Sequence, residues 1–322
     1  MHSFSDPASD LLRPAITPFS RRGLLLAALA LAGCSSTSLT KAPEVAPAPS
    51  PVAASPVAAP KLPPVLPKLG LALGGGAARG FAHIGVIQVL EEQGIKVDLV
   101  AGTSAGSLVA ALYAYGMNGR ELATLADGMD EGAITDWAFP TRGLIRGEAL
   151  ARYVREKTGG KLIEQMKLPL GIVATDLSDG SGALFRRGDT GVAVRASSSV
   201  PAVFQPVKIG NREYVDGGLV APVPVRFAKQ MGAELVLAVD ISSPPDKNPP
   251  GDAMRMLMQT FSIMGRSINN FELSEADVVI RPKLDGVGSA DFTARRRSIQ
   301  AGREAAILML PQLRARIEAK TR

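Results

Sequence analysis

Cysteine and histidine are scarce in this chain of 322 residues. Cys34 is the only cysteine, which excludes an intramolecular disulfide. The histidines are His2 and His83. One cysteine and two histidines do not make a zinc site of the usual Cys/His types, and no EF-hand pattern is present. The composition therefore predicts no metal and no cofactor.

Long apolar runs are also missing. Residues 24–32 form an apolar run of nine, which is too short for a stable membrane-spanning helix. Arg21 and Arg22 precede it, and small residues lead to Cys34. A basic start, a short apolar stretch and small residues before a cut site are typical of a secretory signal. A buried N-terminal helix with a chance cysteine is the alternative.

The end of this segment resembles a bacterial lipobox, in which the cysteine is acylated and becomes the mature N-terminus. Residues 20–24, Ser-Arg-Arg-Gly-Leu, also resemble a twin-arginine export signal. We therefore predict a signal peptide over residues 1–33 and lipidation at Cys34. The expected location is the periplasmic side of a membrane, and Ser35 favours the outer membrane.

The rest of the chain contains a proline-rich segment near its start and a basic segment near its end. Residues 34–67 include nine prolines and cannot bury a core, so they are predicted to be a tether to a folded body over 68–322. The net charge of +6 comes from the C-terminal part, because residues 281–322 carry ten Lys/Arg and four Asp/Glu. The region that carries this excess positive charge is either a solvated helix face or a surface that attracts anionic lipid headgroups. Arg295–Arg297 lack interleaved aromatic residues, so no nucleic-acid partner is expected.

Apolar strands alternate with helical patterns along the body. Apolar runs predict strands at 69–73, 97–101, 170–174, 234–241 and 277–281, and apolar spacing predicts helices at 79–93, 107–115 and 146–157, with a basic terminal helix. This alternation predicts an α/β fold of three layers, α/β/α, with a mainly parallel central sheet.

The stretch Gly102-Thr103-Ser104-Ala105-Gly106 matches the GxSxG pattern. It follows a predicted strand and opens a predicted helix, as a nucleophile elbow requires. A serine there lies at a helix N-terminus, whose partial positive charge stabilises a developing oxyanion. A glycine-rich turn without chemistry is the alternative.

A nucleophilic serine needs a general base, usually histidine. His2 lies in the predicted leader, and no histidine follows His83. His83 would be an unusual base, and a structural histidine is the simpler interpretation. Asp216, followed by Gly217 and Gly218, is the carboxylate candidate, and partial burial would raise its pKa. Asp-Gly-Gly alone is also typical of an ordinary turn.

A glycine loop directly follows the first predicted strand, with the sequence Gly74-Gly75-Gly76-Ala77-Ala78-Arg79-Gly80. It lacks the Gly-Lys-Ser/Thr ending of a phosphate-binding P-loop, and Arg79 occupies the third glycine position of the dinucleotide pattern. A generic phosphate nest stays open. The other interpretation is an oxyanion hole built from backbone N–H groups.

Together, this loop, the GxSxG turn and the distant Asp-Gly-Gly resemble the patatin-like phospholipase family over residues 69–240. Residues 195–201 (RASSSVP) and 204–207 (FQPV) resemble that family's stretch before its aspartate. The resemblance implies a lipid acyl hydrolase with Ser104 as nucleophile, Asp216 as base and Gly74–Gly76 as oxyanion loop. It places Arg79, Gly80, Gly102, Gly106, Gly217 and Gly218 in supporting positions.

The implied reaction is acyl transfer from a lipid or phospholipid to Ser104 and then to water. An acyltransferase with the same dyad, or a phosphate-binding lipoprotein without catalysis, are the alternatives. The membrane is the expected partner, through Cys34 and the basic C-terminal region.

Two further segments are ambiguous. Met254, Leu257, Met258, Phe261, Met264 and Ile268 fall on one helical face. A buried core helix is the expectation there, and an adaptable acyl-chain surface is the alternative. Residues 128–146, which contain the single tryptophan, Trp137, are predicted to be a loop or cap over the site.

Overall fold

The computed structural model describes residues 64–130, 132, 136, 143–244, 251–288 and 290–322. The predicted signal peptide, Cys34 and nearly all of the tether lie outside these residues, as does Trp137.

Strands form one large sheet and one small pair within the described residues. They are β1 (Leu69–Leu73), β2 (Leu99–Thr103), β3 (Gly143–Ile145), β4 (Leu170–Asp176), β5 (Gly182–Phe185), β6 (Ala202–Phe204), β7 (Val207–Ile209), β8 (Arg212–Asp216), β9 (Leu235–Val239) and β10 (Val278–Ile280). The large sheet has the order β10-β9-β1-β2-β4-β8-β7, and β5 pairs with β4.

Strands β10, β9, β1, β2 and β4 are parallel, which confirms the mainly parallel sheet. Strands β5 and β8 pair antiparallel with β4, and β7 pairs antiparallel with β8 at the edge of the sheet. The hairpin β7–β8 turns at Gly210, which has a φ of 61°. Strands β3 and β6 form the separate parallel pair.

Helices connect most of these strands. They are α1 (Phe81–Glu92), α2 (Ala105–Tyr115), α3 (Gly119–Asp127), α4 (Glu148–Lys157), α5 (Thr190–Ser197), α6 (Val225–Gln230), α7 (Ala253–Ser274) and α8 (Arg295–Lys320). In the described part, no helix has both the length and the apolarity needed to cross a membrane.

The central strands are buried on both faces, as parallel sheets require. Leu69, Leu71 and Leu73 of β1 pack in the core layer that includes α1, α2 and α8, whereas Ala72 packs on the opposite side with α6. This alternation across the sheet gives the three layers predicted from the sequence.

Helix α8 is fixed closely to α1. A Cβ on Gly85 would lie 1.9 Å from the carbonyl oxygen of Ile299, and one on Gly302 would lie 2.0 Å from that of Ala82. The two backbones are therefore in direct contact, and glycine is needed at both positions.

Most basic side chains of the C-terminal region contact the body. Arg295 donates to the carbonyl oxygens of Ala126 and Met129, at the end of α3. Further ion pairs join Arg296 to Asp127, Arg303 to Glu92, Lys320 to Asp277 and Arg322 to Glu234. The basic excess thus serves largely to attach α8 to the body.

The burial expected for helix α7 is wrong. Its buried residues are Asn269, Glu272 and Leu273, and none of the six apolar residues that share its predicted face is buried. Apolar spacing predicted the helix correctly, but the same spacing occurs on a buried face and on an exposed one.

Candidate active site

Ser104 lies in a sharp turn between β2 and α2. Its backbone has φ 52° and ψ −125°, a conformation that costs a non-glycine residue about 1–3 kcal/mol. A Cβ on Gly102 would lie 2.5 Å from the carbonyl oxygen of Gly106, and one on Gly106 would lie 2.1 Å from that of Leu73. Both glycines of the GxSxG pattern are therefore required by close backbone approach. The strand, turn and helix are those that a nucleophile elbow requires.

Asp216 is brought to the same end of the sheet by β8. The backbone of Asp216 pairs with Ala174 of β4, and its carbonyl oxygen accepts a hydrogen bond of 2.8 Å from Thr175 Oγ1. The next residue, Gly217, approaches β4 so closely that a Cβ would lie 2.2 Å from the carbonyl oxygen of Val173. Thr103 Oγ1 donates to the carbonyl oxygen of Ala221 at 2.9 Å, which joins β2 to this segment.

The carboxyl group of Asp216 is buried, and burial raises its pKa from 3.8 to about 6. Two hydrogen-bonding interactions oppose this rise, one with the Gly218 backbone and one with the Ser104 side chain. Asp216 Oδ1 accepts the Gly218 N–H at 2.6 Å, and Oδ2 has no partner of good geometry among the described residues. The arrangement gives a carboxylate beside a serine, with a pKa near neutral pH.

Ser197 is a site residue that sequence reasoning did not identify. Its hydroxyl accepts the backbone N–H of Ser104 at 2.9 Å and donates to the carbonyl oxygen of Val173 at 2.5 Å. It therefore fixes the strained turn to β4. The signal available in the sequence was the position of Ser197 in the RASSSVP stretch before the aspartate. Ser199 of the same stretch accepts the Asp216 N–H through its backbone carbonyl oxygen at 2.9 Å.

The glycine loop lies directly against Ser104. A Cβ on Gly75 would lie 3.1 Å from Ser104 Cβ. The N–H groups of Gly74 and Gly75 already donate to the carbonyl oxygens of Val239 and Pro222, at 3.1 and 2.9 Å. These two N–H groups hold the loop in place within the described structure.

The third predicted donor, Gly76, keeps a free N–H group. Within the described part of the chain, the backbone N–H groups of Gly76, Ala77 and Ala105 have no protein acceptor. Ala77 has a φ of 50°, so the loop is strained at this point. These three amides are the candidate oxyanion donors.

His83 holds the glycine loop in place, and Arg79 of the same loop is buried. His83 is fully buried, its Nε2 lies 2.8 Å from the carbonyl oxygen of Gly74, and burial lowers its pKa to about 4. It is therefore a neutral structural residue at pH 7. Burial also lowers the pKa of Arg79, and the charge of Asp240 opposes this effect.

Close packing and an apolar cavity border the nucleophile. Gly80 allows α1 to approach α2, because a Cβ there would lie 2.9 Å from Ala105 Cβ. A cavity of about 60 Å³ lies between α1, α2 and α3 and is bordered by Gly80 and Ala105. Its lining is otherwise apolar and includes Phe81, Ile84, Leu108, Leu125, Met129 and Phe292. In the ranges the structure describes, no group of three or more His, Cys, Asp or Glu could hold a metal ion.

The fold and the site define a three-layer α/β protein with a serine at a strained strand–helix turn and a buried aspartate beside it. The family model of the patatin-like phospholipases matches residues 71–229. The chain therefore contains a patatin-like phospholipase domain over these residues.

Relatives in other organisms support this assignment. An uncharacterized NTE family protein of Mycobacterium tuberculosis is 31% identical over 265 residues, which cover 74% of this chain and 46% of the relative. A second one is 37% identical over 189 residues, 58% of this chain and 52% of the relative. The lysophospholipase nte1 of Aspergillus fumigatus is 31% identical over 258 residues, 70% of this chain and 17% of that protein.

The chain spans about half the length of the mycobacterial relatives it matches. Among solved structures, VipD from Legionella pneumophila aligns with a TM-score of 0.53 at 14% identity, covering 76% of this chain and 67% of VipD. This structural similarity shows a shared fold and nothing more.

Proposed function

We propose that this protein is a serine acyl hydrolase of lipid esters, with Ser104 as nucleophile and Asp216 as general base. The observation that carries the proposal is the buried carboxyl group of Asp216, with a pKa of about 6, interacting with a serine at a strained turn. A base with a pKa near the working pH is best suited to take a proton in catalysis.

In the proposed mechanism, Asp216 takes the proton of the Ser104 hydroxyl while Oγ attacks the ester carbonyl carbon. The N–H groups of Gly76, Ala77 and Ala105 stabilise the oxyanion of the tetrahedral intermediate. The intermediate collapses to an acyl-enzyme, and Asp216 returns the proton to the leaving alcohol oxygen. Water then attacks the acyl carbon while Asp216 takes its proton, and the second tetrahedral intermediate collapses as Asp216 returns that proton to Ser104 Oγ, which releases the carboxylic acid and restores the enzyme.

Two observations favour a lipid ester as substrate. The apolar cavity beside Ala105 offers a dry surface for the first carbons of an acyl chain. The chain contains a patatin-like phospholipase domain, and one relative is named a lysophospholipase. Both point to phospholipids and lysophospholipids as the first substrates to test.

The pH dependence follows from Asp216. Its carboxyl group must be ionised to act as base, and its pKa is about 6. We expect kcat/KM for a soluble ester to rise about tenfold per pH unit below pH 6 and to level off above it. A profile that is flat between pH 4 and pH 7 would contradict the assignment of Asp216 as base.

A panel of phospholipids, lysophospholipids and neutral glycerides, with mass-spectrometric analysis of products, tests the proposal. We expect free fatty acid from at least one lipid ester, and no product from Ser104→Ala. Ser267→Ala is the control, since Ser267 is an exposed serine on α7, away from the Ser104 turn. Acyl groups found on an added alcohol or lysolipid instead of water would indicate an acyltransferase. No turnover of any ester by the folded protein would refute both activities.

We further propose that the protein is anchored to a membrane on the periplasmic side through lipidated Cys34. The support is sequence alone, namely the short apolar run between Arg22 and Cys34. Cys34→Ala should move the protein from the membrane fraction to the soluble periplasm, while Ser35→Ala should not. A Cys34→Ala protein that is processed and still sediments with membranes would contradict the lipid anchor.

A further inference from the structure

Helix α7 presents an apolar stripe to solvent. Leu257, Met264 and Phe271 lie seven residues apart on one flank, and they are 37%, 52% and 65% exposed. Met254 on the neighbouring row is also exposed. Large exposed apolar side chains in one row on a long helix indicate a surface that binds a membrane or another protein segment.

The charge of this helix has one sign over most of its length. Between Ala253 and Phe271 it carries Arg255 and Arg266 and no acidic residue. Arg255 contacts Asp252 at 3.4 Å, and among the described residues Arg266 has no ion pair. Arg255 and Arg266 lie on the other flank of the helix from this stripe, and the exposed Met256 and Ile263 lie between them, so the arginines border one edge of a wider apolar face. Such a face fits an anionic lipid surface, because acyl chains contact the apolar side chains and lipid headgroups neutralise the arginines.

The position of α7 links this stripe to the active site. An ideal Cβ on Gly265, near the middle of the helix, lies 3.9 Å from Pro222 Cγ. The carbonyl oxygen of Pro222 accepts the N–H of Gly75, which lies against Ser104. Nearer its C-terminal end, the buried Asn269 donates to Asp240 Oδ1 at 3.0 Å. The helix is thus attached at the end of the sheet where the nucleophile lies.

We infer that α7 is an interfacial helix that docks the protein on an anionic lipid surface, with Leu257, Met264 and Phe271 inserted among the lipids. The inference rests on the proposed lipid hydrolase function and adds how that site meets its substrate. Docking through α7 brings the glycine loop to the lipid layer, so that an ester reaches Ser104 without crossing water.

Site-specific fluorescence tests this docking directly. The full chain with Cys34→Ser carries one introduced cysteine, either Met264→Cys on α7 or Leu308→Cys on α8, labelled with an environment-sensitive dye. Leu308 is a fitting control because it is 77% exposed and lies on the other long helix. The probes are vesicles of phosphatidylglycerol and phosphatidylcholine, with or without a quencher in the acyl region.

We expect the dye at position 264 to shift to shorter wavelength and to be quenched on anionic vesicles, and the dye at position 308 to do neither. Bound protein with an unchanged dye at position 264 would overturn the inference. So would a dye at position 264 that is already shielded without lipid. Concentration-dependent shielding would indicate a second copy, and concentration-independent shielding would indicate another segment of the chain.

A matched pair of variants separates docking from chemistry. Leu257→Ser with Met264→Ser and Phe271→Ser should reduce hydrolysis of anionic vesicles about tenfold or more, because three apolar anchors are lost. Hydrolysis of a short water-soluble ester should stay within about twofold. Ile307→Ser with Leu308→Ser on α8 should change neither rate. Equal loss on both substrates would refute docking, whereas a parent protein inactive on the soluble ester would refute the hydrolase instead.

Discussion

The turn around Ser104 and helix α7 lie at the same end of the sheet, but they are held in opposite ways. At the turn, Gly102, Gly106 and Gly217 each leave no room for a Cβ against a neighbouring carbonyl group. Along α7, only three of 22 residues are buried. The turn is over-determined by backbone contacts, whereas the helix is attached mainly near its C-terminal end.

This difference shows two ways of building function into one fold. Catalysis needs a fixed serine and a carboxylate with a raised pKa, and both cost stability that the rigid backbone around them must offset. A helix that docks on lipid needs exposed apolar side chains, so most of its surface cannot be packed in the core. Four substitutions test this difference between the turn and the helix.

The largest effect is expected for Asp216→Asn. The amide cannot take the Ser104 proton, so kcat/KM should fall by about 10³–10⁴ while the fold persists. Asp179→Asn is the control, because Asp179 is a half-exposed carboxylate paired with Arg212. The rates of both variants on a soluble ester provide the measurement. Activity of Asp216→Asn within tenfold of the parent would refute the dyad.

Two glycines test how tightly each region is held. Gly106→Ala should lower the free energy of unfolding by about 3 kcal/mol, because the new Cβ would meet the carbonyl oxygens of Leu73 and Gly74. Gly265→Ala on α7 should be neutral or stabilise by up to about 1 kcal/mol, because the nearest atom is at an ordinary contact distance and alanine favours helix. Urea unfolding of both variants gives the comparison. Similar losses would show that α7 is as tightly packed as the turn.

The stability cost of the base depends on pH. The pKa of Asp216 is raised from 3.8 to about 6 in the folded protein, so the fold binds this proton more strongly than the unfolded chain does. Stability from this group is complete below pH 4 and is lost as pH rises through 6, at a cost of about 3 kcal/mol. Asp216→Asn should therefore be more stable than the parent at pH 8 and equal to it below pH 4. A constant difference between these pH values would contradict the buried carboxyl group.

The smallest loss of stability is expected where α7 is attached. Asn269→Ala removes the hydrogen bond to Asp240 and should cost about 1–2 kcal/mol. Asn270→Ala, at the exposed neighbouring position, should cost nothing measurable. A fall in soluble-ester activity in the first variant alone would indicate that α7 is coupled to the glycine loop through Asp240 and the adjacent Val239, whose carbonyl oxygen accepts the Gly74 N–H.

Much of the sheet could be predicted because buried parallel strands are continuous apolar runs. The run at 69–73 matches β1, and that at 170–174 lies within β4. The predicted strand at 97–101 begins and ends two residues before β2 (Leu99–Thr103), because Gly102 and Thr103 continue the strand although they are not part of the apolar run. The sequence pattern does not predict helices α3, α5 and α6, although Asn118 and Glu121 form a capping box at the start of α3.

The positions of Ser104 and Asp216 could be predicted from motif order, but their supports could not. Nothing in the spacing shows that Ser197 holds the Ser104 amide or that Pro222 takes the Gly75 amide, because these contacts join distant segments. The predicted burial of the apolar face of α7 was wrong for another reason. A periodic apolar pattern predicts that a face will bind something, but not whether the protein's own core is what it binds.

The most direct test of the central claim is the site and rate of labelling by a fluorophosphonate, read by intact mass and peptide mapping at pH 5 and pH 8. We predict one adduct, located on Ser104, which forms faster at pH 8 and is lost in Ser104→Ala. Labelling of Ser104 should be slower by at least about a hundredfold in folded Asp216→Asn. An adduct on another serine, or equal labelling rates with and without the Asp216 carboxylate, would contradict the account.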